Sequence, residues 1–405
     1  MLSSIAALFV RPLVRGWWPT TRAGWRRQRP LDTQAHSGGV NADRILLMGN
    51  GAAVGFGVLS QDLALSGRLA TEVSARTGRA ADIDVVAHML MTARSCREAL
   101  FDVRLDRYDA VVITLGMNEA LTLRSPRQWE RELDELCAAI EAEGVGGLQV
   151  ILVGVPQIES VTDIPPVFAW FASRHARLLN ARTRQVAEHR PSVTYVPFSP
   201  EDSECERYGS KASYADWARL IAPTLVSRLT GGAENRVFSA QNEGDRQGAL
   251  DELRILDTAP DARFDSITAS ARNLFGTAGA AITFIDRDRL WVKSAVGISP
   301  RDTPRVTSFC NTTIRRPDLF VVGDIAAQPD YFTDRPTTYA PYDRFYAGYP
   351  IESPDGQRIG ALCVIDHKPR AFTAADATLL RELAQQVQVV LWTDEHGPQI
   401  PLLAS

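Results

Sequence analysis

Between Arg44 and about Leu229, short runs of apolar and β-branched residues alternate with stretches whose apolar positions recur every three or four residues. Ile45-Leu46-Leu47-Met48, Ile83 to Ala87, Ala110 to Thr114, Val150 to Val153 and Val193 to Val196 are apolar almost without a break. A strand with one wet face alternates, and a strand covered on both faces does not, so these runs predict a parallel sheet enclosed by helices. The clearest helix begins at Ser125 with Pro126 in its first turn, sets Trp129, Leu133, Leu136 and Ile140 on one face, and stops at Gly144. The pattern predicts a doubly wound α/β domain over residues 41–230.

Periodicity lapses over Gly231 to Asp245, GGAENRVFSAQNEGD, which we take as a linker spanning 231–245. A second domain is expected over 246–395, with a tail at 396–405. Its predicted helices run from Arg246 to Leu256, Phe264 to Phe275 and Ala374 to Trp392. Between them lie strand-like runs at Ala280 to Ile285, Leu290 to Ser294, Leu319 to Val322, Tyr346 to Ile351 and Ile359 to Ile365. Helices flanking a mostly antiparallel sheet make this half α+β. No internal repeat interrupts either half.

Composition narrows the function classes. With 45% hydrophobic and 23% charged residues the chain of 405 residues has the balance of a globular protein, and a formal net charge of -4 gives no pull toward nucleic acid. The five cysteines, Cys96, Cys137, Cys205, Cys310 and Cys363, form no CxxC pair, so no metal site and no disulfide framework are expected and a reducing cytoplasm fits best. The apolar run Ile5 to Val10 is cut short by Arg11 and Arg15, too soon to span a bilayer. Residues 1–40 form a basic arm in which Arg11, Arg15, Arg22, Arg26, Arg27 and Arg29 surround Trp17, Trp18 and Trp25. Two readings stand for it: peripheral contact with a membrane, or packing of the terminus on the first domain.

Candidate chemistry begins at MGNGAAVGFGV, Met48 to Val58, directly after the first predicted strand. Gly49-x-Gly51-x-x-x-Gly55 has something of a dinucleotide loop, but the acidic residue such a loop needs at the end of the second strand is missing, where Val86-Ala87-His88 stands instead. Over Ile45 to Leu229 the chain more closely resembles the SGNH, or GDSL-type, esterases. The turn is similar to that family's GDS block, ITLGMNEA (Ile113 to Ala120) to its G-x-N-D block, and YGSKASYADWARLIAP (Tyr208 to Pro223) to its His-containing block and following helix.

The resemblance implies a serine nucleophile, a histidine base oriented by an aspartate, and an oxyanion site of a serine amide, a glycine amide and an asparagine. At the matching positions this chain has Asn50 and Gly51 for the Asp-Ser after Gly49, Leu90 for the block-II glycine, Cys205 for the aspartate and Tyr208 for the histidine. Asn118 is kept, followed by Glu119. Glycine offers no nucleophile, and a tyrosine near its usual pKa of about 10 is no base at neutral pH. The cleft is therefore expected to be vestigial, with no catalytic residue. The alternative is an esterase with a relocated nucleophile, for which His88, Ser60, Ser95, Ser210 and Cys205 beside Arg207 are the available side chains.

From Arg246 to Trp392 the chain resembles the GAF family through ALDELRILDTAPDARFDSIT, FIDRDRLWVKSAVG, TSFCNTTI and RFYAGYPIESPDGQRIGALCVID. Its Pro-Asp-Gly is also a hairpin signal in its own right. The resemblance implies a sensory or regulatory module with a small-molecule ligand or a homodimer interface, and names no cofactor. A ligand would be lined by Phe309, Cys310, Phe345 and Tyr346, residues that serve equally well as core. Cys310 is followed by Asn311 and Thr312 with no histidine, which argues against a bilin or haem. The whole sequence predicts a sensor whose hydrolase-like half binds or scaffolds, signalling through a partner protein.

Overall fold

The computed structural model describes residues 30, 33–39, 41–144, 148–156, 158, 165–198, 211–229, 243–298, 303–327 and 343–395. It divides into two compact units, 1–237 and 238–405.

The first unit is built on a six-stranded sheet. Its strands are β1 (Gln34–His36), β2 (Asp43–Gly49), β3 (Ala81–Ala87), β4 (Ala110–Thr114), β5 (Gln149–Val153) and β6 (Val193–Val196), in the order β1-β3-β2-β4-β5-β6. All neighbours are parallel except β1, which runs antiparallel along β3 at one edge. Period-two alternation splits each strand between two cores. Leu46, Met48, Val111 and Ile113 face one side, against helices α2 (Ala93–Ala99), α3 (Met117–Leu121), α4 (Pro126–Glu143) and α5 (Pro166–Glu188). Ile45, Leu47, Ala110 and Val112 face the other, against α1 (Leu65–Thr77) and α6 (Lys211–Arg228). Trp129, Leu133, Leu136 and Ile140 are buried along α4, with Gly144 at its C-cap as the sequence predicts.

The second unit opens with α7 (Glu243–Glu252) and α8 (Ala262–Phe275). Its sheet comprises β7 (Gly279–Asp286), β8 (Arg289–Val296), β9 (Thr303–Pro304), β10 (Phe320–Val322), β11 (Phe345–Glu352) and β12 (Arg358–Asp366). The strands are antiparallel throughout, ordered β10-β11-β12-β7-β8-β9. One face packs against α7, α8 and α10 (Ala374–Glu395), and the other carries the short α9 (Phe309–Thr313). The first helix is shifted from the predicted Arg246 to Leu256: it starts at Glu243 and stops by Glu252, where Arg254 turns to a positive φ of 47°. Among the described residues no helix is long and apolar enough to cross a membrane.

Candidate functional site

In an open α/β sheet the crevice lies where neighbouring strands send their connections to opposite faces, beyond the carboxyl ends of the strands. Here that place is the end of β2 between β3 and β4, and three connections meet there. Gly49 has a φ of 140°, and a Cβ on it would stand 2.2 Å from the Thr114 carbonyl oxygen, so only glycine lets β2 end this close to β4. Asn50 then donates its backbone N–H to Thr114 O at 2.9 Å, and Thr114 Oγ1 donates back to Asn50 O at 3.2 Å. Gly51, with a φ of 57°, begins a short 3-10 turn from Gly51 to Val54.

Both asparagines of the site are buried and spend their amides on one loop. Asn50 Nδ2 donates to Met91 O at 2.8 Å; Asn118 Nδ2 donates to Met89 O at 2.8 Å and to Met91 O at 3.3 Å. The loop held this way carries Leu90, whose N–H donates to His88 Nδ1 at 3.2 Å. Gly49, Asn50, Gly51, Leu90 and Asn118 are thus placed around the end of β2, while Cys205, Tyr208, Arg207 and Ser210 lie outside the described residues. Of the other nucleophile candidates, Ser95 closes a capping box with Thr92 at the start of α2, and Ser60 sits at the N-cap of a 3-10 turn.

Glu119, next to Asn118, is 1% exposed, and no side chain donates a hydrogen bond to either carboxylate oxygen. Burial lifts its carboxyl to about 7, against the opposing pull of its own amide and the Arg124 guanidinium. Sequence offered one signal for this group, its place in the G-x-N-D-like block, and none for its isolation.

In the second unit Phe309 and Cys310 on α9 meet Tyr346 on β11, all at most 2% exposed. The rings of Phe309 and Tyr346 stack with centroids 4.9 Å apart, and Phe320 lies 5.8 Å from Tyr346. Tyr346 shares a hydrogen bond of 2.8 Å with Thr313 and donates to Cys310 Sγ at 3.4 Å. Its hydroxyl lies over Gly348, where a Cβ would come within 2.2 Å of it. Phe345 does not join this group. It faces the opposite core, 5.8 Å from Phe372, because neighbouring residues on a strand point to opposite faces. Cys363 on β12 takes the place expected of Phe345, with its Sγ 3.9 Å from Cys310 Sγ. Among the described residues no group of three or more His, Cys, Asp or Glu is placed to hold a metal ion.

Comparison with known proteins agrees with this division. Residues 47–224 match the GDSL-like Lipase/Acylhydrolase family and residues 259–391 match the GAF domain. The chain therefore joins an SGNH-like domain to a GAF domain. It is 36% identical over 155 residues to a cyclic di-GMP phosphodiesterase of Pseudomonas aeruginosa, an overlap of 38% of this chain and 26% of that protein. The chain thus spans about a quarter of the length of this curated relative. Similar solved structures include a free methionine-R-sulfoxide reductase from Neisseria meningitidis, at 22% identity, covering 40% of this chain and 96% of that one, with a TM-score of 0.30. A lipase/acylhydrolase from Enterococcus faecalis aligns at 18% identity over 47% of this chain and 98% of that one, with a TM-score of 0.35. At such identities and scores these two bear on neither chemistry nor ligand.

Proposed function

We propose that this chain is a regulatory protein in which the GAF domain senses a small molecule or redox state and the SGNH-like domain binds or scaffolds without hydrolysing esters. The observation that carries it is the use of Asn118. An oxyanion donor has to point at the place where charge develops, and this amide is committed to the Met89 and Met91 carbonyls instead. Gly51, at the position the resemblance gives to the nucleophile, has no side chain to attack with. The nearby Ser95 is occupied as a helix cap, and His88 Nδ1 accepts the Leu90 amide, so neither stands ready as a nucleophile-base pair. The GAF match and the partial likeness to a cyclic di-GMP phosphodiesterase support a role in signalling, with any effect passed on through a partner protein.

A fluorophosphonate probe followed by intact-mass measurement, together with turnover of short-chain nitrophenyl esters, tests this. We expect no adduct and no turnover above a heat-denatured control. A stoichiometric adduct on one serine, with turnover that disappears when that serine becomes alanine, would establish a relocated active site and overturn the proposal.

A further inference from the structure

Two thiols face each other across the covered side of the GAF sheet. Cys310 begins the second residue of α9, Cys363 lies on β12 directly across from Gly348 of β11, and their sulfurs are 3.9 Å apart with both side chains at most 4% exposed. A disulfide requires about 2.05 Å, so a closing movement of roughly 2 Å separates the pair from a covalent bond. We infer that Cys310 and Cys363 form a redox-sensitive dithiol that hydrogen peroxide or another small hydroperoxide closes to a disulfide, resetting the position of α9. This deepens the regulatory reading above and rests on it.

The surroundings favour attack by Cys310. The hydrogen bond shared with the Cys363 thiol is the largest influence on its sulfur, and the hydroxyls of Thr283, Tyr346 and Ser308 also favour the thiolate, so its pKa falls despite burial. Cys363 is pushed the other way, by its hydrogen bond to Cys310 and by burial. Elsewhere burial pushes Cys96 and Cys137 up to about 12, which leaves those thiols inert at neutral pH. In the first step the Cys310 thiolate attacks one peroxide oxygen, the O–O bond breaks, and the departing hydroxide takes up a proton as water. The sulfenic acid left on Cys310 is then attacked by Cys363, which gives up its proton; the S–O bond breaks and a second water leaves. Two thiols lose two electrons to one peroxide, and two waters form.

Closure has a route outward. Drawing Cys310 toward the sheet moves Phe309 on Tyr346 and strains the Thr313–Tyr346 bond, because all four sit within one turn of α9 or directly under it. The next residue, Asn311, accepts from Arg305 Nε at 2.8 Å, and the same guanidinium holds Glu243 at the start of α7. Burial makes reaction wait on local opening of α9, so the response is slow compared with that of an exposed thiol.

The test uses the full chain, exposed to hydrogen peroxide in the folded state, then denatured in alkylating agent and mapped by mass spectrometry. We expect the loss of two hydrogens, a peptide cross-link between Cys310 and Cys363, alkylated Cys96 and Cys137, and full reversal by dithiothreitol. Hydrogen exchange should then change in residues 305–314 and 243–252 of the oxidised protein. Cys310→Ser and Cys363→Ser should each abolish the cross-link, but the wild-type map alone decides the chemistry if either variant folds poorly. Complete alkylation of both cysteines after peroxide would refute the dithiol, and a cross-link with unchanged exchange in both segments would refute the repositioning. Neither result touches the ester-labelling outcome, so the two proposals fail separately.

Discussion

Glu119 sets a pH dependence that can be separated from every other group. Its carboxyl is raised from 4.5 to about 7 in the folded chain because burial penalises the anion. Between those values the folded state holds a proton that the unfolded state has released, so stability is greatest in acid and falls as pH rises through about 7. A shift of this size corresponds to on the order of 3 kcal/mol once the group is ionised. In Glu119→Gln the group no longer titrates. The difference in melting free energy between wild type and variant should therefore grow in the variant's favour from pH about 5 to about 8. Burying an unpaired amide adds a cost of its own, but one that is flat with pH, so a flat difference across the range would sink the assignment.

At the scale of elements, the Arg305 bridge joins α7 to α9 through Glu243 and Asn311. Burial alone would raise the Glu243 carboxyl, yet hydrogen bonds from Arg305 and Arg246 bring it down to about 2. The sign is opposite to that of Glu119: the contribution is present above the ordinary carboxylate range and is lost as pH falls toward about 2. The Glu243 side chain is half exposed, so the pair is screened and its loss should loosen α7 without unfolding the domain. We expect Arg305→Ala to speed hydrogen exchange over 243–252 at neutral pH and to blunt the acid-induced loosening of that helix; unchanged exchange there would show that the bridge holds nothing. The elements themselves were largely legible. Parallel strands buried on both faces read as unbroken apolar runs, and α4 announces itself through Pro126, its apolar stripe and Gly144. Strand β1 was missed because Gln-Ala-His at a sheet edge is held by the polar pairs Gln34–Asp84 and His36–Asp82 and has no apolar run to see. The site was half legible. Strand alternation alone separates Phe345 from Tyr346, whereas the Cys310–Cys363 approach needs the register of the sheet, and the commitment of Asn118 depends on backbone carbonyls of a distant loop.

For the whole molecule, the two units carry separate cores, and among the described residues the core of the second draws on those from Ala249 onward. Residues 238–405 should therefore fold alone, being well above the roughly 40 residues below which domains need extra staples. The GAF match begins at residue 259, which leaves out α7, yet this helix is part of the fold. Leu250 is fully buried in the main GAF core, Ala249 is 6% exposed, and Arg246, 1% exposed, donates to the Ile285 carbonyl at 2.6 Å. A fragment starting at 259 uncovers the apolar floor under Leu250 and leaves the Ile285 carbonyl without that charged donor. Losing a buried leucine costs about 2–5 kcal/mol, and a hydrogen bond to a charged group about 1.5–3 kcal/mol. Thermal unfolding followed by circular dichroism should show one cooperative transition for 238–405 and a clearly lower one, or precipitation, for 259–405. Equal midpoints would mean that α7 only rests on the domain, and the route from Cys310 through Arg305 to Glu243 would then end on an element that carries no load.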